Sequence, residues 1–117
     1  MYIKELLKEA DKSIENYKYN DALLYLKSVL EIDESNYSAL MTLSKIYTDF
    51  GMFEEAKEYA EKLYKKYPES KDTLFTLGLI YQSLGRLKKA ILLYKKFLEI
   101  EKNYFVYLNM GMSYALL

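Results

Sequence analysis

Residues that could do bond-making chemistry are scarce in this chain. It contains no histidine and no cysteine. Thiolate zinc sites, disulfides and the Cys–His or Ser–His pairs that activate a nucleophile therefore have no members here. The acidic side chains are scattered, and none forms the isolated buried pair that separates into an acid and a base. Lysines do gather, at Lys62, Lys65, Lys66 and Lys71 and again at Lys88, Lys89, Lys95 and Lys96. Glu54, Glu55, Glu58 and Glu61 lie beside the first group. Glu58–Lys62 and Glu61–Lys65 have the i,i+4 spacing of ion pairs on a solvated helix face, worth ~0.2–0.5 kcal/mol each. Lys+Arg and Asp+Glu are 17 each, so the formal net charge is zero. No counterion-release term draws the chain to nucleic acid, and no net field steers it to an anionic membrane. The expectation is a protein that is not an enzyme, carries no cofactor or metal, and works by recognising another surface.

Any such surface must be positioned by helices. The 117 residues are one domain's worth of chain, 51% hydrophobic and 29% charged, which suits one packed core rather than a disordered tail. One proline and four glycines leave few breakers. The start, Met1-Tyr2-Ile3-Lys4-Glu5, has no apolar core or cleavage site of a signal peptide, and no apolar run approaches the ~20 residues that span a bilayer. A cytoplasmic, all-α domain without a membrane partner is expected.

Residues recur at a fixed interval. Ala22, Ala56 and Ala90 are 34 apart, as are Leu6, Leu40 and Leu74, and Gly51 and Gly85. Tyr47, Tyr81 and Tyr114, then Leu43, Leu77 and Met110, and Ser44, Gly78 and Gly111 run 34 and then 33. A 34-residue period belongs to a helix–turn–helix unit. Within each unit a large apolar residue, another three on and then a small residue share one helical face. The small residue (Ala10, Ser44, Gly78, Gly111) admits the partner helix, and Ala22, Ala56 and Ala90 do the same from the other side. Gly51 and Gly85 stand where a helix ends in a left-handed residue. Tyr19, Phe53 and Leu87 plug the turn that follows, and Pro68 stops the second helix of the middle unit. Ser35/Asn36, Ser70 and Asn103 are candidate N-caps. Seven helices are predicted, over about 2–15, 19–33, 37–50, 53–66, 71–84, 87–100 and 104–116.

The stretch Leu40, Leu43, Ser44, Tyr47, Gly51, Phe53, Ala56, Tyr67-Pro68 resembles a complete tetratricopeptide repeat. Leu74, Leu77, Gly78, Tyr81, Gly85, Leu87 and Ala90 match a second. Residues 3–36 form a weaker first unit, with Tyr17 where glycine is expected, Glu9 where an apolar residue is expected and Ser13 where tyrosine is expected. The units are 3–36, 37–70 and 71–103, and 104–117 is the first helix of a fourth. The resemblance implies an α-solenoid of stacked antiparallel helix hairpins, forming a right-handed superhelix that binds a peptide or amphipathic helix in its concave face. It also implies that the groove is lined by first-helix residues. These are Lys4, Leu7, Lys8, Asp11 and Glu15, then Ser38, Met41, Thr42, Lys45 and Asp49. The third unit contributes Asp72, Phe75, Thr76, Leu79 and Ser83, and the half-unit contributes Phe105, Leu108, Asn109 and Met112. Leu7, Met41, Phe75 and Leu108 share one column and are expected to form an apolar stripe, or else to be ordinary packing between hairpins. Some members of the family hold a C-terminal carboxylate with Lys, Asn, Asn, Lys and Arg. The matching positions here read Leu7, Asp11, Thr42, Asp72 and Thr76, or one unit later Met41, Lys45, Thr76, Phe105 and Asn109, and neither set supplies the five donors.

Tyrosine is abundant, with fourteen residues, and Tyr19, Tyr47, Tyr81, Tyr94, Tyr107 and Tyr114 occupy packing columns, so they are expected in the core with a hydroxyl at the rim. The last helix is apolar almost all round. A solenoid end normally carries a polar cap, so the chain is expected to be the N-terminal part of a longer array, or to self-associate through Phe105, Leu108, Met112, Leu116 and Leu117 as a homo-oligomer. Three functions follow: a scaffold for a protein or peptide partner, a self-assembly module, or an accessory domain of a larger enzyme or regulator.

Overall fold

A computed structural model describes residues 2–117. It contains seven helices: α1 (Tyr2–Glu15), α2 (Tyr19–Ile32), α3 (Tyr37–Asp49), α4 (Phe53–Lys66), α5 (Lys71–Ser83), α6 (Leu87–Ile100) and α7 (Tyr104–Leu116). The boundaries fall within a residue of those read from the period. The small shifts at α2, α3 and α5 arise because Asp33, Phe50 and Leu84 leave helical geometry as C-caps.

Each helix end has a physical cause. Asn36, Ser70 and Asn103 accept the free amides of Ala39, of Thr73, and of Phe105 and Val106, which caps α3, α5 and α7. Ser35 does not cap; its own amide donates to Asp33. The second helices have no side-chain cap. Their starts are fixed by the tight turn before them, where the amides of Lys18, Met52 and Arg86 reach back to the carbonyls of Ser13, Tyr47 and Tyr81 at 2.7, 2.8 and 2.8 Å. That bond requires a left-handed residue just before it. Gly51 and Gly85 take φ of 73° and 76°, and in the first unit Tyr17 takes φ of 60° without being glycine.

Three hairpins, α1–α2, α3–α4 and α5–α6, stack in sequence with α7 added last, giving an elongated body of 44 × 25 × 22 Å. Ala10, Ala22, Ala56, Ala60 and Ala90 are fully buried where helices approach closely. Leu26, Leu40, Leu43, Leu63, Leu74, Leu77 and Ile80 fill the spaces between them, each side chain contributing about 1.5–3 kcal/mol when removed from water. Tyrosines tie successive hairpins together. Tyr67 donates to the Ser35 carbonyl at 2.7 Å, Tyr37 bonds Ser70 at 2.9 Å, and the two rings meet edge-to-face at 5.0 Å.

The expected ion pairs Glu58–Lys62 and Glu61–Lys65 do not form. Among the described residues the pairs are Lys57–Glu54 and Lys71–Glu101. Glu61 instead accepts the Tyr81 hydroxyl at 2.5 Å, and Lys62 lies over the ring of Tyr59 at 5.9 Å. Tyr47, Tyr81 and Tyr94 are core residues as expected, but Tyr107 and Tyr114 are exposed.

Candidate functional site

The first helices α3, α5 and α7 lie side by side, with α5 touching both neighbours. Two hollows open between them and share Asp72, Phe75 and Leu79 as a common wall. One, of about 320 Å³, is lined by Lys45, Thr48 and Asp49 of α3 together with Asp72, Phe75, Thr76 and Leu79 of α5. The other, of about 460 Å³, adds Lys71, then Phe97 and Glu101 at the end of α6, and Asn103, Phe105, Val106 and Asn109 at the start of α7. Together they form one groove with an apolar floor and a polar fringe.

The floor follows from local packing. Phe75 is half-buried, its ring 6.1 Å from Phe97 and 6.4 Å from Tyr94. Phe97 and Val106 belong to the core and show only an edge to the groove. On the rim, Lys71 and Glu101 join α5 to the end of α6 at 2.7 Å, and the Glu101 carboxylate holds the Lys71 ammonium above the usual lysine range. Lys45, Asp49 and Asp72 are exposed and have no ion-pair partner among the described residues.

Of the residues expected to line a groove, Lys45, Asp49, Asp72, Phe75, Thr76, Leu79, Phe105 and Asn109 meet here. Leu7, Lys8 and Asp11 of α1, and Thr42, line neither hollow. The apolar column is interrupted at Met41. That residue is 7% exposed, packs with Leu40 and Leu63, and takes the Thr76 hydroxyl on its sulfur at 3.7 Å. Leu7 is partly buried against the core. Leu108 and Met112, 46% and 48% exposed, line neither hollow. Phe105, expected both in the groove and at a self-association surface, lines the groove. Phe97, Val106, Lys71, Glu101 and Asn103 were not expected. A rule that admits only first-helix columns gives no signal for Phe97 or Glu101, which belong to a second helix and its end.

A second surface lies on α7. A Cβ added to Gly78 of α5 would come within 2.6 Å of the Tyr94 ring, whereas one added to the matching Gly111 meets nothing within 4 Å. Tyr47 and Tyr81 are each 7% exposed, but Tyr114 in the same column is 49% exposed. The face that α3 and α5 press against their hairpin partners is thus open on α7. No helix among the described residues is long and apolar enough to cross a membrane, and those residues hold no cluster of three metal-ligating side chains.

The architecture is shared with solved structures. The chain superposes on the first tetratricopeptide domain of Spaghetti (RPAP3), solved with an HSP90 peptide, with a TM-score of 0.88 at 17% identity, over 97% of this chain and 90% of that one. The Sgt2 domain from Aspergillus fumigatus gives 0.83 at 22% identity, over 97% and 77%. A tetratricopeptide repeat protein from Parabacteroides merdae gives 0.91 at 23%, over 97% of this chain and 45% of that chain. No curated protein matches the chain. Tetratricopeptide repeat models match residues 13–61 and 72–104, more than half of the sequence between them, and with the 34-residue columns and the hairpin stack they show that the chain belongs to the tetratricopeptide repeat family.

Proposed function

We propose that the chain is a protein-interaction scaffold that holds a peptide or amphipathic helix in the groove between α3, α5 and α7. The observation that carries this is the groove's construction: Phe75, Leu79 and Phe105 present apolar surface between Lys45, Asp49, Asp72 and Asn109. An apolar floor with a few polar groups at its edge suits a segment with hydrophobic anchors. The RPAP3 domain of the same fold was solved with a bound peptide, which supports the reading. A photo-crosslinker placed at Leu79 should capture a partner, and Phe75→Glu should abolish the adduct. A crosslinker at Leu92, exposed on α6, serves as the control. Equal adducts at Leu79 and Leu92, or capture that survives Phe75→Glu, would remove the groove from consideration.

The open face of α7 favours a second reading, self-assembly. Tyr104, Tyr107, Leu108, Met112, Tyr114, Leu116 and Leu117 are all exposed. With aromatic side chains of roughly 150–250 Å², they offer an area on the order of the ~800 Å² that each partner contributes to a stable interface. Helix α7 carries no charged residue to repel a second copy. Sedimentation over a range of concentrations tests this: a chain that stays monomeric throughout contradicts it.

A further inference from the structure

We infer that the segment held in the groove pairs a large apolar anchor, seated on Phe75, with a lysine or arginine placed between Asp49 and Asp72. This rests on the groove reading above and adds the chemistry of the occupant.

The anchor follows from the floor. Phe75 and Phe97 stand 6.1 Å apart and tilted by 58°, with Phe105, Val106 and Leu79 around the same hollow. Phe97 is only 5% exposed whereas Phe75 is half-buried, so an incoming aromatic or large aliphatic side chain packs chiefly on Phe75. Four neutral polar groups, Thr48, Thr76, Asn103 and Asn109, stand among the charged ones. They suit the backbone of an extended segment more than a charged side chain.

The cation follows from the ionised groups. Lys71 and Glu101 satisfy one another at 2.7 Å. What remains in the groove is one ammonium, Lys45, against two carboxylates, Asp49 and Asp72. Helix α7 brings no charge to balance them. Asp49 is the last residue of α3, where the partial negative charge of the helix terminus makes a carboxylate unfavourable. A ligand cation there relieves that local repulsion, while a ligand carboxylate compounds it. Asp72 lies one helical turn before Phe75 and borders both hollows, so the anchor and the cation are neighbours on the ligand. The excess of negative charge sets specificity: an acidic segment meets like charge at the position where a basic one meets its complement.

The test is selection of a random displayed peptide library on the whole chain. Selected peptides are then measured by fluorescence anisotropy against wild type, Phe75→Glu, Leu79→Glu and Asp72→Lys, each checked by circular dichroism. The expected result is peptides that need Phe75 and Leu79 and that carry an aromatic or large aliphatic residue close to lysine or arginine. Asp72→Lys should weaken them about fivefold at low salt and less at high salt, as an exposed pair should behave. Exchanging the peptide's lysine for glutamate should reverse the order of the two proteins. Peptides that need Phe75 but are neutral or acidic would overturn this inference while leaving the groove intact. Peptides indifferent to both Phe75→Glu and Leu79→Glu, or no enrichment at all, would overturn the groove along with it.

Discussion

Adding a single methyl at Gly78 should destabilise the protein, although helix propensity alone argues the opposite. Alanine is favoured over glycine inside a helix by about 0.8–1.0 kcal/mol. At Gly78, however, the new Cβ would stand 2.6 Å from one ring carbon of Tyr94 and 3.0 and 3.2 Å from two others. Carbon pairs prefer about 3.5–4.0 Å, so the ring would have to retreat by roughly an ångström. It has nowhere to go. Tyr94 is fully buried, its ring leans on Phe75, and its hydroxyl donates to Gln82 at 2.6 Å. Overpacking of this kind costs about 1–3 kcal/mol, and straining the hydroxyl bond adds about 1 kcal/mol. After the propensity gain, Gly78→Ala should lower stability by about 1–3 kcal/mol. Urea unfolding followed by far-UV circular dichroism measures this. The matching change, Gly111→Ala, meets open space and should protect α7 amides from hydrogen exchange by up to about 1 kcal/mol. A neutral or stabilising Gly78→Ala, or the same sign at both glycines, would refute the account of how the hairpins close.

Other substitutions test the local arguments. Tyr17 holds φ of 60° and is 81% exposed, so Tyr17→Gly removes left-handed strain and should raise the urea midpoint by the equivalent of about 1 kcal/mol. The buried Thr73 hydroxyl has no hydrogen-bond partner among the described residues; Thr73→Val should therefore stabilise by about 1 kcal/mol, since an unsatisfied buried group costs about 1–3 kcal/mol, and a loss of stability would show that the hydroxyl is in fact paired. Burial, then its bond to Glu61, pushes the Tyr81 phenol up to about 12, and burial moves Tyr94 the same way. An unfolded tyrosine titrates near 10, so the folded state binds the proton more tightly. That stability is present in full below about pH 10 and is lost as pH rises through about 12. Urea midpoints should fall across that window, and Tyr81→Phe should flatten the decline.

Much of the fold was legible because its signals are repeated and local. Columns of alanine and leucine at 34-residue intervals located the helices. Asn36, Ser70 and Asn103 located the caps, and Gly51 and Gly85 located the turns. Tyr17 is the odd residue of its column, and it takes the glycine geometry without being glycine. What the period could not convey was which neighbour fills each gap. Met41 and Phe75 share a column, yet Met41 is buried beside Leu40 and Leu63 whereas Phe75 keeps an open side. Large and small residues also change places between units. Gly78 faces Tyr94, while the residues 34 positions earlier are Ser44 and Ala60, both buried. Phe97 reaches the groove from a second helix, which follows from how α5, α6 and α7 meet and from nothing in its own column. The charge pattern misled for a related reason: Glu61 and Lys62 found tyrosines on neighbouring turns and helices in place of each other's i,i+4 partners.

The central claim is that the groove between α3, α5 and α7 is the surface that holds a partner. Its most direct test is an amide NMR titration of the chain with a peptide selected as above. Shift changes should centre on Asp49, Asp72, Phe75, Leu79, Phe97 and Asn109, and they should be lost in Phe75→Glu. Changes that centre instead on Tyr107, Gly111 and Tyr114 of the outer α7 face, or on α2 and α4, would contradict the claim.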